Sequence, residues 1–197
     1  GQVCAYAQLM AEITVKAPAH TTVTVFADKE ETGSNGVTVL NSHFLVDFIA
    51  DLAQAGGKEL RHVLRASACL SADVNAAYDP AWPEVAEKHN CAYLGYGPVL
   101  TKYSGARGKS STNDASAEFM AFVGGILERA NVTWQTGELG KVDQGGGGTV
   151  AMFVSQFNVD TVDIGVPVLS MHAPFEVVSK ADLYMTYKAM EAFYSAP

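Results

Sequence analysis

Two adjacent carboxylates, Glu30 and Glu31, sit in the stretch FADKEETGSNG, directly after a β-branched run and ahead of a glycine-bearing turn. Neighbouring side chains at a strand end point in different directions. One carboxylate can therefore ligate a metal while the other reaches a metal-bound water. Alone, the pair reads more simply as an exposed acidic turn. Asp73, in SADVNAAYDP, and His172, in GVPVLSMHAPFE, also follow apolar runs. Singly, the first reads as a turn or cap residue and the second as a structural or exposed imidazole. Their shared position is more informative, because in an open α/β sheet sites collect where strands end. Oxygen donors from Glu31 and Asp73 with a nitrogen from His172 suit zinc or a related divalent ion. The wide spacing is that of a site assembled by folding, unlike a zinc finger.

The elements that must position these residues are legible from periodicity. Thr21–Phe26 (TTVTVF), Val63–Ala72, Gly97–Tyr103, Asn131–Thr136 and Thr161–Leu169 read as strands. Pro167 places the last at a sheet edge or a strand end. Helical spacing runs from GQVCAYAQLMAEI at the start, through Gly36–Ala55 and Ala115–Ala130, to Ser179–Tyr194. Asn113 or Asp114 is the expected cap of the third helix and Ser179 of the fourth. Strands alternating with helices predict one layered α/β domain, with helices on both faces of a central sheet.

Composition removes several function classes. The 197 residues are 48% hydrophobic and 17% charged, enough for one compact core. A net charge of −8 offers no broad basic surface, so nucleic acid is not an expected partner. No apolar run approaches the ~20 residues of a membrane span, and no signal peptide opens the chain. Cys4, Cys69 and Cys91 are odd in number and widely spaced, which fits a reduced, cytoplasmic protein.

The blocks FADKEETGSNG, SADVNAAYDP, GPVLTKY, DQGGGGT and VDIGVPVLSMHAPFE, in this order and spacing, resemble the aspartyl aminopeptidase/aminopeptidase I family of dinuclear zinc metallopeptidases. The likeness covers essentially the whole chain and matches the C-terminal part of the family's catalytic domain. It implies a three-layer α/β/α sandwich with a central mixed sheet, of the zinc-exopeptidase kind. It implies an aminopeptidase that removes N-terminal residues from peptides with water activated by two zinc ions, cobalt or manganese being possible substitutes. Glu30 would then be the general base, Glu31 and His172 ligands of one ion, and Asp73 a ligand of the other. Gly145, Gly146, Gly147, Gly148 and Thr149 would line the substrate cleft, their bare backbone approaching a bound peptide. A homo-oligomer, often a dodecamer in this family, is the implied assembly.

The sequence also departs from the family pattern. Neither the family's upstream His-x-Asp segment nor its metal-bridging Asp is present, and Gly1-Gln2 runs directly into Val3-Cys4-Ala5-Tyr6. His20, His43, His62 and His89 are expected to face solvent rather than substitute. The family's dimerisation domain is expected to be absent with the upstream segment. SGARGKSSTND and Asp79-Pro80 replace the motifs of acid-preferring members, so a preference for neutral or hydrophobic residues is at least as well supported. Arg107 and Lys109 read most simply as solvated. Two competing readings remain: a related dinuclear amidohydrolase, and a non-catalytic or incomplete scaffold of the same fold.

Overall fold

The computed structural model describes all 197 residues. Helix α1 (Gln2–Thr14) leads into a long loop containing a 3-10 turn at Glu30–Thr32, then α2 (Phe44–Ala55) and α3 (Leu60–Arg65). Strand β1 (Ala68–Ala76) is followed by β2 (Val99–Thr101), the hairpin β3 (Tyr103–Ala106) and β4 (Ser110–Asp114), and α4 (Ala117–Arg129). The chain closes through β5 (Gln135–Thr136), α5 (Ala151–Ser155), β6 (Asp160–Leu169), β7 (Val177–Val178) and α6 (Lys180–Tyr194).

The main sheet runs β1-β6-β2-β5, with β7 added to β6. It is mixed: β1 is parallel to β6, whereas β2 is antiparallel to it. Alternate residues of β6 face opposite sides. Val162 and Ile164 join Ala11, Phe119, Val123, Leu127, Ala189 and Met190 in the larger core, beneath α1, α4 and α6. A smaller cluster built on Leu40, Leu64, Val154 and Val159 closes the other face with α2, α3 and α5. The result is the expected three-layer α/β/α sandwich.

Local chemistry explains the element ends. Ser116 caps α4 by accepting a hydrogen bond from the Phe119 amide at 3.1 Å, and Ser179 caps α6 through the Asp182 amide at 3.4 Å. The cap of α4 is thus Ser116, not Asn113 or Asp114, which belong to β4. Asp182 is buried and accepts from the amides of Gly95 and Gly97 at 2.7 and 2.8 Å, tying the loop before β2 to α6.

Three strand readings need correction. Thr21–Phe26 is extended but forms no ladder; Thr22 and Thr24 donate to Glu12 at 2.5 and 2.7 Å, while Val23, Val25 and Phe26 are exposed. A β-branched run becomes a strand only when another strand lies alongside, and none does here. Val63–Arg65 belongs to α3, so β1 starts later and runs through Asp73 to Ala76. Only Gln135 and Thr136 of the fourth predicted strand pair. β6 is central rather than an edge, and of the two placements expected for Pro167 the strand end is the one found, beyond the β2 ladder that reaches only Gly165. Helix α2 likewise starts at Phe44, not at Gly36.

Gly165 is what lets β6 lie so close to β1. A Cβ there would meet the Asp73 carbonyl oxygen at 2.3 Å and the Asn75 nitrogen at 3.0 Å, all backbone that cannot swing away. Gly165→Ala is therefore expected to destabilise the fold by about 1–3 kcal/mol. Urea denaturation checks this, and an unchanged midpoint would mean that the strands separate at no cost.

Candidate metal and peptidase site

The 3-10 turn holding Glu30 and Glu31 is set by left-handed residues on both sides: Lys29 at φ 55° and Gly33 at φ 93°. Glu31 is exposed and its Oε1 lies 3.9 Å from Nδ1 of His172. His172 itself has φ 66°, with Ser170 at φ 58° two residues earlier, uncommon conformations for side-chain-bearing residues. Its amide donates to Glu176 Oε1 at 2.6 Å, which braces that bend. Glu30 is half-buried. Its carboxyl is pushed above the usual range by desolvation, then by the charges of Glu31 and Asp73, against smaller opposing effects from the Gly1 ammonium and His172. Glu31, Asp73 and His172 thus all act electrostatically on Glu30, and Glu31 and His172 approach each other directly.

Asp73 differs in two respects from expectation. It lies inside β1 rather than after it, and its Oδ1 is 3.0 Å from the ammonium of Gly1 and 2.7 Å from the Val74 amide. Two zinc donors at ~2.1 Å in a tetrahedral set stand about 3.4 Å apart. The Glu31–His172 separation is close to that, so the pair suits two positions on one ion. No three His, Cys, Asp or Glu side chains gather closely enough to hold a metal by themselves. The fit is therefore partial, two donors on one side and a lone carboxylate on the other. His20, His43, His62 and His89 are exposed, as expected, and add nothing.

The glycine-rich segment packs in part against its own chain. Gly146 has φ 87°, and a Cβ there would meet the Gly105 carbonyl oxygen at 2.4 Å. A Cβ at Gly148 would meet Ser111 Cβ at 2.5 Å, whereas Gly147 faces open space. Close approach at Gly146 and Gly148 is thus to the β3–β4 hairpin of the same chain. Thr149 turns inward, donating to Asp163 Oδ2 at 3.0 Å. Sequence reasoning missed Asp163, a buried carboxylate on β6 whose pKa burial pushes up to about 6, against hydrogen bonds from Ser71, Thr149 and Ser104 that lower it. The available signal was an aspartate inside the otherwise apolar run TVDIGVPVL. Asn75 was also overlooked. It is buried, donates to Thr101 Oγ1 at 2.7 Å, and its Oδ1 has no partner.

The profile of the family described as aminopeptidase I zinc metalloprotease (M18) matches residues 1–194. The chain belongs to the M18 aminopeptidase family. It is similar to a probable M18 family aminopeptidase 1 of Clostridium acetobutylicum, 46% identical over 98% of this chain and 42% of that one. The crystal structure of the M18 aminopeptidase of Thermotoga maritima superposes with a TM-score of 0.94 at 43% identity, over 98% of this chain and 44% of that one. The mApe1 dodecamer of Saccharomyces cerevisiae, at 24% identity, shares the fold with a TM-score of 0.78 over 98% of this chain and 43% of its own. This M18 chain thus spans less than half the length of the relatives it matches. No helix in it is long and apolar enough to cross a membrane.

Proposed function

We propose that this M18 chain forms the C-terminal part of a metalloaminopeptidase catalytic domain, with the remaining metal ligands supplied by polypeptide outside it. The observation that supports the reading is the approach of Glu31 to His172, at 3.9 Å, beside a Glu30 carboxyl that senses the charges of Glu31 and Asp73. Glu31 and His172 would hold one ion and Asp73 the other. Two zinc ions, when bound, would supply Lewis acidity that polarises the scissile carbonyl and acidifies the attacking water. Glu30, whose carboxyl desolvation and the neighbouring Glu31 and Asp73 charges raise above its ordinary value, is suited to take a proton from that water at its carboxylate oxygen and deliver it to the departing amine.

The three free cysteines support a reduced, cytoplasmic setting. The yeast dodecamer supports a homo-oligomer, and by the same likeness a dodecamer. The substrates are peptides with a free N-terminal residue. A scaffold reading draws on one observation, that the chain's own side chains form no three-membered metal cluster. Hydrolysis separates the readings. A zinc-loaded form extended to the relatives' length should cleave leucyl-p-nitroanilide and leave its N-acetyl analogue intact. Cleavage of both would favour an amidohydrolase; cleavage of neither would favour the scaffold.

A further inference from the structure

Outside the proposed metal site, Asp163 is a buried acid whose carboxylate takes its hydrogen bonds from side-chain hydroxyls. Its carboxylate lies at the middle of β6, opposite Ser71 of β1 and Thr101 of β2 in register. Oδ2 accepts from Thr149 Oγ1 at 3.0 Å and Ser104 Oγ at 3.2 Å, and the two hydroxyls stand 3.1 Å from each other. Ser71 flanks the same carboxylate and the half-buried Cys69 lies nearby. No lysine or arginine pairs with Asp163, so hydroxyls alone compensate a charge in the interior. An arrangement of that kind is costly as stability and is better explained by what it holds in place. What it holds is specific: Ser104 belongs to the β3–β4 hairpin, and Thr149 ends the glycine-rich segment that lies against that hairpin.

We propose that Asp163 is a positioning residue, latching the glycine-rich segment through Thr149 and the hairpin through Ser104 so that together they form one fixed wall beside the metal site. This rests on the peptidase reading for its purpose, not for its mechanics. The wall has a second seam, since the Arg107 amide in the hairpin turn donates to the Gly145 carbonyl of the segment at 2.8 Å. That amide reports whether the wall is closed. Removing the latch should let the segment leave the hairpin while β1, β6 and α6 stay packed.

Hydrogen exchange on the 197-residue chain tests this without metal or substrate. Thr149→Val deletes one donor while keeping shape, and exchange at Arg107 should become roughly tenfold to a hundredfold faster, with α6 unchanged. Asp163→Ala should do the same, and Asp163→Asn, which keeps an acceptor oxygen, should restore exchange to within a few-fold of the parent. Unchanged exchange in Thr149→Val, or acceleration spread evenly over β1, β6 and α6, would overturn the latch. In the metal-loaded extended form, Thr149→Val should raise KM more than it lowers kcat. Faster exchange with an unchanged KM would overturn the substrate-facing purpose. If the parent hydrolyses nothing, the peptidase reading fails while exchange still decides the latch.

Discussion

Glu30→Gln is expected to lower turnover of the metal-loaded enzyme by roughly 100- to 10,000-fold while leaving metal content unchanged. The amide keeps the shape of the side chain and its hydrogen-bonding oxygen but cannot take up a proton near neutral pH. Glu31, not Glu30, is the member of the pair that approaches His172, at 3.9 Å. Loss of charge at Glu30 should therefore leave the metal ligands in place. Single-turnover hydrolysis of an aminoacyl substrate, with metal measured on the same sample, checks both halves. Near-normal rates at full metal occupancy would remove Glu30 from the proton transfer.

The second large effect concerns the chain by itself. Catalytic zinc usually takes three protein ligands, and here Glu31 and His172 supply two for one ion and Asp73 one for the other. Two dications about 4 Å apart also repel strongly unless an anion lies between them. Residues 1–197 alone are expected to bind zinc weakly and to hydrolyse no aminoacyl substrate. Joining them to the additional polypeptide that the relatives possess should restore both properties. Robust hydrolysis by the isolated chain would mean that another side chain, such as His20 or Asp79, completes the site.

Of the candidate site residues only His172 follows a strand as the sequence suggests; the run before Glu30 and Glu31 forms no ladder, and Asp73 lies within β1. The order of layers was legible because α1, α4 and α6 carry regular apolar spacing, and their cores follow from it. What escaped the sequence is non-local. TTVTVF has every strand propensity and yet forms no ladder, because pairing depends on a neighbour that no local pattern encodes. The boundary at Arg65–Ala68 moved because VLR suits a helix end as well as a strand start, and the strand's later end, at Ala76 rather than Ala72, put Asp73 within β1. The glycines of DQGGGGT signal close approach but not to what. In the fold, Gly146 meets Gly105 and Gly148 meets Ser111, while the fixing contact comes from Thr149 and an aspartate some way along the chain.

Metal content of the extended protein, measured by elemental analysis after equilibration with zinc and gel filtration, tests the central claim most directly. The assignment of Glu31, His172 and Asp73 predicts two ions per chain in the parent, two in Glu30→Gln, and about one in His172→Ala. Two tightly held ions in His172→Ala, or none in the parent, would contradict it.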